Sequence, residues 1–111
     1  MQSRKFTFLL LVLFFSSIST ASELTDAEAT ELGYRVSAIN AALHNPAAPG
    51  AMQAITDLGH DQRYYVMVRG WLMYQLQGDM SILQASQGQV PDAIRVRIDL
   101  IQQAIRAIDL E

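Results

Sequence analysis

The stretch HDQRYYVMVRGWLMYQLQGD, residues 60–79, decides the fold. It holds the only tryptophan, Trp71, and three of the four tyrosines, Tyr64, Tyr65 and Tyr74. Placed on a helical wheel at about 100° per residue, Tyr64, Met67, Trp71 and Tyr74 share one stripe, and Tyr65, Val68, Leu72 and Leu76 share the adjoining one. Together the stripes span roughly 200° of arc, twice the ~100° that an ordinary surface helix turns toward a core. A helix apolar over half its circumference is a central helix with neighbours on two sides. It is expected to begin near Asp61, acting as N-cap, and to reach Gln77. Gly78-Asp79 then reads either as a turn or as a weak point in one helix continuing to about Ser86.

The flanking segments supply the neighbours. Thr25 followed by Glu28 is a capping box, so a helix starts there and runs to about His44. Ala29, Leu32, Val36, Ile39 and Leu43 recur along it at spacings of three and four. Gly33, Ser37 and Ala41 form a strip of small residues beside that stripe, suited to the close approach of another helix. Asn45-Pro46 ends the helix, and NPAAPG, residues 45–50, is a linker within one domain. A short helix over about Ala51–Leu58 is expected to close an end of the bundle, with Gly59 as a left-handed C-terminal cap. QGQVP, residues 87–91, is a second break.

The final segment reads two ways. Ile94, Val96, Ile98 and Leu100 alternate with polar residues as in a strand. Yet Ile94, Ile98, Ile101, Ile105 and Ile108 fall on a helical seam that is twice as long, and Asp92/Arg95 and Arg95/Asp99 stand at helical spacings. The longer pattern predicts a helix over about Pro91–Leu110, with proline in the first turn. The fold class expected is therefore all-α, a small three- to four-helix bundle.

The beginning of the chain has a different character. Arg4 and Lys5 precede the apolar run Phe6–Phe15, and Ser19-Thr20-Ala21 fits the small-x-small rule of signal peptidase. Residues 1–21 are expected to be a signal peptide cleaved after Ala21. The alternative is a retained anchor, but the run is short against the ~20 residues a spanning helix needs. No cysteine follows it to carry a lipid. Export to the periplasm or the exterior is the expectation, with a single helical domain over 22–111 and no stable membrane insertion after cleavage.

That remainder has six arginines, no lysine and eleven acidic residues, a formal charge of −5. Nucleic acid and anionic membrane are poor partners for such a chain, since both are bound by neutralising phosphates with Lys and Arg. With no cysteine in the chain, disulfides and thiol catalysis are ruled out, and with no lysine after residue 21 so is Schiff-base chemistry. No phosphate-binding glycine loop, G-x-S-x-G elbow or H-E-x-x-H motif occurs. His60 and Asp61, with Asp57 nearby, are the nearest approach to an acid–base pair, and as neighbours in one turn they offer too few ligands for a metal. No cofactor is expected.

Binding is the class of function left. Tyr64, Met67, Arg69, Trp71 and Tyr74 are the candidate ligand- or partner-binding residues, because aromatic and methionine side chains are the adaptable, enriched contacts of interfaces. The partner is either another protein or a second copy of the chain, with the 91–110 seam as a further contact. A pocket for a small molecule lined by Tyr64, Trp71 and Tyr74 is the alternative, and an enzyme using His60 and Asp61 the third reading. Arg69, flanked by apolar turns, either pairs with an acid on a neighbouring helix (Asp99 or Glu31) or holds an anionic group. Gly70 beside it implies a close approach by another backbone or a large side chain.

Overall fold

A computed structural model describes residues 24–110. The signal-peptide reading of residues 1–21 lies outside them. The described residues form four helices and no strand: α1 Asp26–His44, α2 Ala51–Gly59, α3 Tyr65–Ala85 and α4 Asp92–Asp109. The chain divides into two compact units between Glu31 and Leu32. In the first, Thr25 Oγ1 accepts a hydrogen bond from the Glu28 backbone N–H at 3.1 Å, the N-cap bond of the expected capping box. The second unit, from Leu32 onward, holds the core.

That core joins Ile39, Ala42 and Leu43 of α1, Ala51, Ile55 and Leu58 of α2, Val68 and Leu72 of α3, and Leu100, Ile101, Ala104 and Ile108 of α4. The longer of the two patterns in the last segment wins: the segment is helical, and Ile98, Ile101 and Ile108 of its seam are buried. The alternation gives way because helical phase turns Val96 outward, leaving it exposed. Of the two stripes on α3, the one through Val68 and Leu72 faces the core, with both side chains fully buried.

Several local expectations are corrected. The short α2 belongs to the centre of the bundle, since Ile55 and Leu58 are fully buried and it packs against both α3 and α4. Gly59 is its last residue, not a left-handed cap. A Cβ built on Gly59 would stand 2.6 Å from Ile108 Cγ2, so glycine is required there by the closeness of α2 and α4. Asp61 does not cap α3. It lies in the turn before it, where its carboxylate accepts bonds from the Arg63 backbone N–H (3.0 Å) and guanidinium, and the N-cap is Tyr64. Pro91 is likewise the N-cap of α4, one residue earlier than the first helical position.

Gly78 and Asp79 lie inside α3, which continues unbroken for 21 residues. Its stop is at 86–88. The Gly88 N–H reaches back to Leu83 O (2.9 Å) and the Gln87 N–H to Gln84 O (3.2 Å), with Gln87 itself left-handed at φ 55°. This pair of bonds satisfies the last carbonyls of α3 in a Schellman motif.

The strip of small residues on α1 does not receive a helix. Gly33, Ser37 and Ala41 are all exposed, and nothing lies within 4 Å of a Cβ at Gly33. The same open space surrounds Gly70 and Gly78, so the inferred close approach at Gly70 is absent among the described residues.

These three environments separate the glycines experimentally. In urea denaturation, Gly59→Ala is expected to destabilise the protein by about 1–3 kcal/mol through overpacking against Ile108. Gly70→Ala and Gly78→Ala are each expected to stabilise it by about 0.5–1 kcal/mol through helix propensity.

Candidate functional site

The five candidate residues fall on different sides of α3. Tyr64 and Trp71 are partly buried and lean on the core, and the Arg63 guanidinium carbon stands 5.1 Å from the Tyr64 ring centroid. Met67 and Tyr74 point away from it, 44% and 79% exposed. Helical phase places Gly70, Gly78 and Ser81 around Tyr74 on the same outward side, and all three are exposed. Val66 and Ile82 border this face, 79% and 47% exposed. The structure thus brings Met67 and Tyr74 together on an open face, with Trp71 at its inner edge.

Arg69 is not part of that face. It turns toward α4, where its Nε lies 3.0 Å from Asp109 Oδ1 and its Nη2 3.1 Å from Asp109 Oδ2. The partner is Asp109 rather than Asp99 or Glu31, and the reason is topological. Helices α3 and α4 run antiparallel, so a residue early in α3 meets the end of α4. Asp99, mid-helix, instead accepts a bond from Gln103 at 2.8 Å.

Tyr65 Oη donates to the same Asp109 carboxylate at 2.5 Å. The Asp109 carboxyl is held below the usual carboxylate range by the hydrogen bonds from Arg69 and then Tyr65. Conversely, the bond to Asp109 raises the Tyr65 phenol above its ordinary value.

The other antiparallel crossing was not foreseen from the sequence. Asp79 is 1% exposed and receives a two-pronged bond from Arg97 of α4, Nε to Oδ2 and Nη2 to Oδ1, both 2.8 Å. Gln75 Nε2 donates to Oδ1 at 3.1 Å, and Arg97 Nη1 donates to the Leu43 carbonyl at 3.1 Å. Three helices meet at this pair, and the partners satisfy one another fully, which makes it a structural joint. A signal was present: Asp79 lies eleven residues after Val68 and seven after Leu72, about three and two helical turns on and so on their face, and Gln75–Asp79 is an i,i+4 spacing.

His60 and Asp61 do not form an acid–base pair. The His60 Nε2 reaches the Ala107 carbonyl of α4 at 3.2 Å, while the Asp61 carboxyl, lowered chiefly by its bonds from Arg63, faces Arg63 and Arg35. A shallow groove of about 270 Å³ lies beside them, lined by Gly59, His60, Gln62, Tyr65, Ile108 and Asp109. A second, of about 300 Å³, runs between the end of α1 and the start of α2 and is walled mainly by alanines. Neither is lined by Tyr64, Trp71 or Tyr74. No group of three or more His, Asp or Glu side chains among the described residues is placed to hold a metal ion. No helix among them is long and apolar enough to cross a membrane.

Two measurements check these joints. Asp79→Ala leaves Arg97 without its anion in a low-dielectric site and is expected to destabilise the protein by about 3 kcal/mol, the lower part of the range for a broken buried pair because Arg97 keeps some water contact. The double replacement Asp79→Leu/Arg97→Met is expected to recover most of that loss in the same denaturation assay. For the second joint, the Tyr65 contribution is complete below its unfolded pKa of about 10 and is lost as pH rises through its higher folded value; the Asp109 contribution is complete above about pH 4 and lost as pH falls through its depressed value. In an ultraviolet titration, one of the four tyrosines should ionise later than the rest, and Tyr65→Phe should remove that late step.

Comparison with protein-family models, with curated proteins and with solved structures finds no match to this chain.

Proposed function

We propose that this protein is an exported helical bundle that acts by binding another protein through the outer face of α3. One observation carries the reading: a 21-residue helix whose solvent side bears no charge. The only charged residues of α3 are Arg69 and Asp79, and both ion-pair with α4, away from Tyr74: Asp79 buried, Arg69 partly exposed on the flank. What remains outside is Val66, Met67, Gly70, Tyr74, Gln77, Gly78, Ser81 and Ile82, with Gln84 and Ala85 at the end of the helix and Tyr74 at the centre. Monomeric helices ordinarily keep charged residues on their solvent face, and an uncharged face with exposed aromatic and methionine side chains has the composition of an interface core.

The isoleucine seam of α4, considered above as a second contact, is directed into the bundle, so α3 carries the reading alone. The export half of the proposal rests on the Arg4-Lys5, Phe6–Phe15 and Ser19-Thr20-Ala21 pattern.

The test is expression of the full-length chain in a diderm bacterium with a photo-crosslinking amino acid at position 74 or, as control, at the exposed Gln53 of α2. The expected result is an intact mass beginning at Ser22 in the envelope fraction and protein adducts from position 74 but not from position 53. An unprocessed chain would refute export, and equal labelling from both positions would refute the α3 face.

A further inference from the structure

Resting on that reading, we infer that the occupant of the α3 face is a second copy of the chain, docked antiparallel with Tyr74 on the two-fold axis. The arrangement of the face around Tyr74 is nearly symmetric. Gly70 and Gly78 stand four residues to either side, each with nothing within 4 Å of where a Cβ would be. In an antiparallel pair centred on Tyr74, Gly70 of one copy meets Gly78 of the other, Val66 meets Ile82, and Met67 meets Ser81. The two tyrosine rings then have the four glycine positions to settle against, which lets the backbones come close. Two mid-helix glycines weaken α3 by about 1 kcal/mol each relative to alanine, and nothing among the described residues packs against either of them.

Charge chooses the same face and the same orientation. At a formal −5 for residues 22–111, two copies repel one another over most approaches. The outer side of α4 carries exposed Asp92, Arg95, Asp99 and Arg106. The later part of α1 is charge-poor too and exposes Tyr34 (71%), but the residues around that one ring are small, Gly33, Ser37, Ala38 and Ala41, and bury little. On α3 a neutral surface carries four large exposed side chains, Val66, Met67, Tyr74 and Ile82, against one on α1. A parallel pairing would stack the Arg63–Asp61 ion pairs of the two copies side by side, whereas the antiparallel one separates them by about 33 Å along the axis, well beyond the ~10 Å over which exposed charges act. A single helix face is below the ~1,200 Å² total of a standard interface, so the pair is expected to be weak, with a Kd of about 1–100 µM.

Sedimentation equilibrium of the processed protein, purified after expression of the full-length chain, tests the pairing. The expected result is a monomer–dimer equilibrium in the stated range. It should be lost in Tyr74→Glu and in Gly78→Leu, both of which should keep wild-type helicity by circular dichroism because both positions open to solvent. The register is read from Gln84→Cys carrying a nitroxide, in a chain with no other cysteine: the antiparallel pair places the two labels about 30 Å apart along the axis, the parallel one about 10 Å. A monomer up to about 1 mM, far above that Kd range, or a dimer indifferent to both substitutions, would overturn self-pairing, and a short label distance would overturn the antiparallel geometry. If the chain is monomeric while the position-74 probe captures a different protein, self-pairing falls and the binding face stands. If neither occurs, both fall.

Discussion

The bundle turns on a charge that has been taken out of water. Asp79 sits 1% exposed in the middle of the long helix α3, and a buried carboxylate is tolerated only when its negative charge and its lone pairs are both met. Arg97 meets the charge with a two-pronged bond, Gln75 takes a further lone pair, and a third guanidinium donor goes to the Leu43 carbonyl at the end of α1. Such a pair adds little net stability over an apolar one, but it is unforgiving of position. It fixes the rotation of α3, the register of α4 against it, and the place where α1 ends. The Arg69–Asp109–Tyr65 cluster fixes the same two helices at the opposite end. Rotation set in this way is also what turns both charges of α3 toward α4 and leaves its other side neutral.

Much of this was legible in the residues, and the gaps have physical causes. The helices could be read from periodicity because an apolar face repeats every 3.6 residues whatever it packs against. The α4 segment was decided by the length of its isoleucine seam, and Thr25 announced its helix start by chemistry alone. Asp79 was left open between turn and continuing helix because Gly-Asp is ordinary turn chemistry, and only tertiary burial of the carboxylate decides between them. Gly59 was read as a cap for a similar reason: a glycine needed for left-handed backbone and one needed for helix contact look alike until Ile108 is seen beside it.

The candidate site divided in the same way. Phase alone placed Tyr64, Met67, Trp71 and Tyr74 on one stripe, and the structure keeps that order while splitting it between core-facing and outward-facing members. Arg69 could not be assigned from sequence, since its partner lies 40 residues away and is chosen by the antiparallel course of α3 and α4. What no pattern of apolar residues could reveal is the neutrality of the outer face, which depends on where two charged side chains turn.

The contribution of α4 bears on the order in which the protein can fold. It supplies Leu100, Ile101, Ala104 and Ile108 to the core, the counter-ion of Asp79, the counter-ion of Arg69 and the side chain that closes over Gly59. A chain delivered from residue 24 onward therefore has three helices' worth of sequence but no finished interior, and its one buried acid lacks a partner, until residues 92–109 arrive. Stable structure is deferred to the last helix, so a chain that stops short of residue 92 is expected to stay loosely folded.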